Sequence, residues 1–330
     1  MSRNNCFDLL RLFAAVMVVV YHHAGFMKFP LENPGQWFPL DSIWVQMFIS
    51  ISGYLVTKSF ITSKGFDQYM VKRCLRIFPA IFLCSFLVIY VIVPFWEKDV
   101  IGFITSEKTF KSFLNMALLH GINVGHAENP YGLRTLVNPP LWTLAYEFIL
   151  YICLGILMSI NRTWITPAIM IALSIILCAG YADSLKSSYF YGVQYWTFLR
   201  LGINFYVGSL MFLTVDKWGG DKYKLTLALV CILALYYLSG NVADVDMLGR
   251  VALSVLTILA GVTFATGIGS GKFDISYGVY IWSWPVQAVV VSMVKIDFWY
   301  SLALSLLIIF VISFLSRNIF EERFLKLKPI

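Results

Sequence analysis

The chain has 330 residues, of which 59% are hydrophobic and 13% charged, with a mean hydropathy of +0.76 and a formal charge of +7. An ordinary soluble domain is about 45–50% apolar and about 25% charged, so a water-soluble globule is excluded, as are disorder, coiled coil and a disulfide-stapled secreted domain. The basic balance fits cytoplasmic loops meeting anionic lipid and not a nucleic-acid partner.

Taken in chain order, the apolar runs predict ten membrane-spanning helices at 9–27, 42–61, 76–96, 141–160, 164–181, 196–214, 223–239, 250–267, 274–295 and 299–316. Each is long enough, or nearly so, to cross about 30 Å of hydrocarbon at about 1.5 Å per residue. The expected fold class is therefore all-α, a polytopic integral membrane protein with a single domain over 1–330. The first run resembles a signal peptide, but Asp8 and Arg11 sit at its start and no small-residue cleavage site follows, so it is expected to stay as a helix. The stretch 112–125 is apolar but short, and reads as an interfacial or re-entrant piece of the long loop 97–140. Pro79, Pro94, Pro140 and Pro167 are expected at or near span ends, whereas Pro285 falls inside the ninth span and should kink it. The six cysteines form no CxxC and no metal-like pairing with histidine, so free thiols and no metal site are expected.

Ten spans put both termini on one side. With the termini inside, 15 of the 25 Lys and Arg fall in the inner set, 8 in the outer set, and Arg11 and Arg200 within spans. That bias predicts cytoplasmic termini.

Ionisable side chains inside a bilayer are costly and point to function. Arg11 and His22 are 11 positions apart, about 20° past three helical turns, so they share a face about 16.5 Å apart along the axis. Asp8 can cap the helix or pair with Arg11. The plain alternative is a snorkelling Arg11 and a hydrogen-bonded interfacial His22. His23 points about 100° away and reads as a bystander. Glu147 enters from the same side as His22 and lies at matching depth, about 9 Å against about 6 Å. A carboxylate there can orient an imidazole and raise its basicity; alternatively it is protonated and bonded to Tyr151, one turn on. Arg73 and Arg76, with Lys72, stand just before the third span. Their i, i+3 spacing suits bidentate phosphate binding or a plain positive-inside cluster. Arg200 precedes Asn204 by one turn and awaits a polar or carboxylate partner. Ser52-Gly53 points to close packing or a kink in the second span.

Five stretches together resemble the membrane acyltransferase-3 family, integral membrane O-acyltransferases of surface polysaccharides. Asp8-Leu-Leu-Arg11, ten residues and His22 resemble its first signature. Phe48-Ile-Ser-Ile-Ser-Gly-Tyr-Leu-Val56 resembles "FFxxSGFLI", and Lys72-Arg-Cys-Leu-Arg76-Ile-Phe-Pro79 resembles "RxxRxxP". Leu141-Trp-Thr-Leu-Ala-Tyr-Glu147 resembles "LWSLxxE", and Ser276-Tyr-Gly-Val-Tyr-Ile-Trp-Ser-Trp-Pro285 resembles "SYxxYLxHxP". The resemblance runs from about residue 7 to 322. It departs at Ser283, where many members carry His, and at Thr143, where many carry Ser.

The resemblance implies a ten-helix acyltransferase of the bacterial inner membrane. It implies a cytoplasmic acyl-CoA donor, usually acetyl-CoA, as cosubstrate with no permanently bound cofactor. The acceptor would be a cell-surface or lipid-linked glycan, in the company of polysaccharide-assembly proteins. His22 would be the essential histidine, Glu147 the acidic residue, and Arg11, Arg73 and Arg76 the donor-side basic residues. The chemistry agrees with the residues: a histidine base for the hydroxyl proton, a carboxylate that holds its tautomer, and arginines for CoA phosphates. The competing reading is a proton-coupled secondary transporter, since intramembrane Arg, His and Glu also build proton relays; no paired inverted halves support it.

Overall fold

The computed structural model describes residues 5–30, 40–120, 130–133, 135–238, 245–264 and 274–328. Every predicted span is a helix there: α1 (Phe7–Met27), α2 (Leu40–Ile61), α3 (Phe66–Leu87), α6 (Trp142–Ile160), α7 (Ile165–Gly180), α9 (Tyr195–Leu213), α11 (Asp221–Leu238), α12 (Val245–Thr263), α13 (Ser276–Met293) and α14 (Phe298–Leu315). Short helices α4 (Val100–Thr105), α5 (Glu107–Ala117), α8 (Ala182–Ser187), α10 (Val215–Trp218) and α15 (Glu322–Leu325) lie between or beyond them. The strands among the described residues are one hairpin, β1 (Tyr189–Phe190) and β2 (Val193–Gln194), paired antiparallel with Phe190 opposite Val193. The fold is all-α.

Among the described residues, five segments are long and apolar enough to cross a membrane: Phe7–Met27, Phe66–Trp96, Pro139–Ile160, Tyr195–Leu213 and Phe298–Leu325. They make this a multi-pass membrane protein. Ile165–Gly180 and Met247–Thr263 are apolar but shorter. Among the others, α2 and α13 are diluted by polar groups that they bury, such as Gln46, Ser50 and Thr57, or Ser276, Ser283 and Gln287. Residues 239, 265–267 and 121–125 of the expected spans and loop, with Arg3, Arg134 and Lys272 of the charge count, lie outside the described residues.

Three boundaries differ from expectation. The third helix begins ten residues early, at Phe66, so Arg73 and Arg76 sit on it and Pro79 falls in its interior. Helix α12 begins at Val245, which places Arg250 inside it and buried. Residues 112–117 of the stretch 112–125 belong to α5, whose Glu107 and Lys111 are exposed while Phe113 and Met116 are buried. Eleven residues reach about 16.5 Å, too short to span. Ser106 caps this helix by accepting from Lys108 N and Thr109 N at 3.1 and 3.3 Å. The Lys111 ammonium, one turn on, holds the Glu107 carboxyl below its ordinary range by hydrogen bonding.

The chain forms two compact units. Unit 1 comprises 1–14, 32–70 and 146–274. Its core packs Phe7, Ile51, Ile203, Val207, Met211 and Ile258. Helices α2 and α9 touch backbone to backbone, because a Cβ at Gly53 would overlap the Phe205 carbonyl and one at Gly208 would overlap the Ser50 carbonyl. This is the close packing read from Ser52-Gly53. Hydroxyl pairs then join the helices: Ser50 Oγ to Ser254 Oγ and Thr57 Oγ1 to Ser209 Oγ, both at 2.8 Å.

Unit 2 comprises 15–31, 71–145 and 275–330. Its centre is α13, where Pro285 lacks the N–H that would bond the Ile281 carbonyl four residues back. Asn138 Nδ2 donates to that carbonyl at 3.0 Å and Cys84 Sγ at 3.5 Å. A side chain from the loop before α6 thus replaces the missing helix bond. Tyr280 OH ties the same loop to α13 through the Pro140 carbonyl at 2.5 Å and lies 2.6 Å from Thr143 Oγ1. Tyr131 OH donates to the Val137 carbonyl at 2.6 Å, and complete burial holds that phenol well above its ordinary range.

Candidate active site

Arg11 and His22 lie on one unbroken helix, α1, as their shared face requires. Arg11 belongs to unit 1 and His22 to unit 2. Arg11 Nη1 donates to Asp274 Oδ2 at 3.0 Å, and its guanidinium stands 5.9 Å from the Phe48 ring centre. Both charged side chains are largely buried, at 16% and 10% exposure. Its carboxylate partner is therefore Asp274, and not Asp8 one turn before it. No local pattern links residues 263 positions apart, so sequence reasoning missed Asp274.

In unit 2, the His22 ring meets Trp284 of α13 edge-on, with centroids 5.0 Å apart. Trp284 is held in place by Phe26 at 4.4 Å and by donating its indole N–H to the Leu136 carbonyl at 3.0 Å. Of the two His22 ring nitrogens, only Nδ1 is both buried and without a partner among the described residues; for His23 both are. His23 is fully buried and packs on Phe298 at 5.6 Å. Of the two histidines, only His22 therefore keeps a ring nitrogen that is not both buried and without a partner.

Arg73 and Arg76 are half-buried on α3. The Arg76 guanidinium lies 5.9 Å over the ring of Tyr277, whose hydroxyl donates to the Ile77 carbonyl at 3.0 Å. Tyr277 thus locks the first turn of α13 beside the arginine pair. Seven residues further along α13 stands Trp284, against His22. Seven residues are 20° short of two turns, so Tyr277 and Trp284 occupy one face about 10.5 Å apart. Helix α13 therefore carries a contact to Arg76 and a contact to His22 on a single face.

In unit 1, the Glu147 carboxylate accepts from Ser52 Oγ and from Tyr151 OH. The i, i+4 contact to Tyr151 is the one expected from spacing alone; the contact to Ser52 needed knowledge of the α2 packing. Arg200 stacks over Trp196 at 5.7 Å. Its neighbour Asn204 instead serves Arg250, whose Nη1 donates to Asn204 Oδ1 at 3.2 Å, while Asn204 Nδ2 donates to Ser254 Oγ at 2.9 Å. Arg250 was counted with the outer loop charges, because its position in the sequence marks the edge of an apolar run. All six cysteines are free. Among the described residues no group of three or more His, Cys, Asp or Glu is placed to hold a metal.

Comparison with known proteins identifies the family. The family described as acyltransferase domain matches residues 4–317. An O-acetyl transferase of Shigella phage Sf6 is 30% identical over 334 aligned residues, covering 98% of this chain and 97% of that protein. Nodulation protein 10 of Rhizobium leguminosarum bv. viciae is 27% identical, covering 90% and 86%. No solved structure matches. The transporter reading gives way to a match of this extent: the chain belongs to the acyltransferase-3 family and is an acyltransferase.

Proposed function

We propose that the protein is a ten-span O-acyltransferase of a bacterial inner membrane, with both termini in the cytoplasm. It moves an acetyl group from cytoplasmic acetyl-CoA to a hydroxyl of a cell-surface or lipid-linked glycan. The observation that carries this reading is the single face of α13, which contacts Arg76 through Tyr277 and His22 through Trp284. Arginines at one end suit the phosphates of a CoA, bound bidentately. A slender arm laid along that face brings the thioester toward the imidazole at the other. The similarity to a protein named O-acetyl transferase supports the acyl group and the oxygen acceptor.

In the reaction, His22 takes the proton of the acceptor hydroxyl as its oxygen attacks the thioester carbonyl. The tetrahedral intermediate collapses, the C–S bond breaks, and the imidazolium returns its proton to the leaving thiolate. Products are an O-acyl ester and the free thiol of CoA. In this scheme Glu147 takes the part of the family's acidic residue, and Arg11, Arg73 and Arg76 the parts of its donor-side basic residues.

Membranes carrying the protein, given radiolabelled acetyl-CoA and glycan acceptor, are expected to place label in the glycan. His22→Ala should abolish labelling while the protein still inserts, and His23→Ala should retain most of it. An active His22→Ala with an inactive, inserted His23→Ala would reverse the assignment.

A further inference from the structure

Unit 2 holds a buried hydrogen-bond acceptor beside the histidine that the chemistry above leaves unused. Gln287 of α13 is fully buried. Its Nε2 donates to the Val19 carbonyl of α1 at 2.7 Å. A backbone carbonyl only accepts, so the amide nitrogen must be the atom that faces it, and Oε1 is turned the other way. That oxygen is buried and makes no hydrogen bond among the described residues. A buried amide oxygen is costly to leave unmatched, so its position calls for a donor.

The donor follows from where the amide sits. In α1 the Val19 carbonyl meets the backbone amide of His23, four residues on. Gln287 therefore lies against the peptide that joins His22 to His23. The two rings leave that peptide in different directions. Helix α13 presents Trp284, one turn before Gln287, to the His22 ring at 5.0 Å, whereas the His23 ring lies on Phe298 of α14 at 5.6 Å. His22 also offers the matching group. Its Nδ1 is buried and without a partner among the described residues, and its Nε2 is not in that state. A neutral imidazole carries one N–H and one lone pair. For Nε2 to take the proton of a hydroxyl, its lone pair must face the substrate. The ring hydrogen then belongs on Nδ1, on the buried side, where it needs an acceptor.

We infer that Gln287 is a positioning residue for acyl transfer: its Oε1 accepts the Nδ1–H of His22, directly or across one water, and so fixes the tautomer that leaves Nε2 free to act as the base. The inference rests on the reading of His22 as that base. A carboxamide suits the task, because it supplies an acceptor at a buried position without burying a charge. Its own N–H is tied to the Val19 carbonyl, so it cannot turn to donate and favour the other tautomer. The seat is firm as well, since Trp284 one turn earlier is anchored through its indole N–H to the Leu136 carbonyl.

The test reads the tautomer directly. The full-length protein, made with isotope-labelled histidine and reconstituted in phospholipid bilayers, is studied by solid-state NMR at a pH where the imidazoles are neutral. The His22 and His23 signals are assigned by their loss in His22→Gln and His23→Gln, and the nitrogen shifts tell which ring atom is protonated. His22 is expected to carry its proton on Nδ1. Gln287→Met keeps the length of the side chain and removes the amide, while the Val19 carbonyl retains its helix bond; it should move the His22 proton to Nε2. Its kcat for acetyl transfer should fall about 100-fold, at the lower end of what a positioned base contributes, with KM for acetyl-CoA unchanged. A role in packing alone would leave the tautomer as it is. A wild-type His22 protonated on Nε2 would overturn the inference, and that measurement stands whether or not the variant folds. Retention of Nδ1–H in Gln287→Met, or a change confined to His23, would overturn it too. The tautomer is measured without acyl transfer, so its failure is distinct from that of the acyltransferase mechanism, which falls if membranes carrying the unaltered protein place no label in the glycan.

Discussion

Arg76 faces an aromatic ring on one side and, in the proposed chemistry, a phosphate on the other, and these two demands on a cation can be told apart. A lysine keeps the charge and can still lie over Tyr277, but it loses the planar fork that grips two phosphate oxygens at once. Arg76→Lys is therefore expected to raise the KM for acetyl-CoA about ten- to hundredfold, from loss of about 1.5–3 kcal/mol in a charge-assisted bond, with a smaller effect on kcat. An unchanged KM in a correctly inserted variant would return the pair to a topological role. The adjacent histidines show the same economy of position. One hundred degrees of helix turns His23 into the core against Phe298 and leaves His22 on the wall with Trp284.

Helix α13 survives its proline because the loop before α6 supplies the donor that the proline lacks. That exchange predicts a coupled pair. Asn138→Leu leaves the Ile281 carbonyl with only the weak Cys84 thiol donor and should lower stability by about 1–3 kcal/mol, read as a fall in the thermal unfolding midpoint in detergent. Pro285→Ala restores a backbone N–H to the same carbonyl, so the double variant should recover part of the loss; strict additivity would mean the two positions do not share that acceptor. The helices themselves were readable from local hydropathy, and each of the ten expected segments is one. Their ends were not always readable. The polar turn Phe66–Leu75 carries no apolar run yet continues α3, and Val245–Gly249 does the same for α12, which turned Arg250 from a loop charge into a buried partner of Asn204. Of the site, the Arg11–His22 register and the Glu147–Tyr151 contact followed from helical spacing. Asp274, Ser52, Tyr277 and Trp284 did not, because each reaches its partner across helices and no periodicity in one segment reports the packing of another.

The distribution of basic residues, 15 expected inside against 8 outside, makes a claim about how the whole chain lies in the bilayer. Reporters placed at 62–65 and after Lys328 should read cytoplasmic, and those within 97–140 external. A cytoplasmic reading for 97–140, with cytoplasmic termini, would put Glu147 at the opposite depth from His22 and remove the basis for pairing them. The Arg11–Asp274 ion pair carries a further consequence, for biogenesis. The arginine belongs to α1, and its carboxylate is translated 263 residues later. At synthesis rates of about 5–20 residues per second, the first helix waits roughly 13 to 53 s before its counter-charge exists. Arg11 stands near the start of α1, within side-chain reach of the headgroups, so during that interval α1 can hold its charge at the membrane surface. It can settle to its final depth only once Asp274 has emerged.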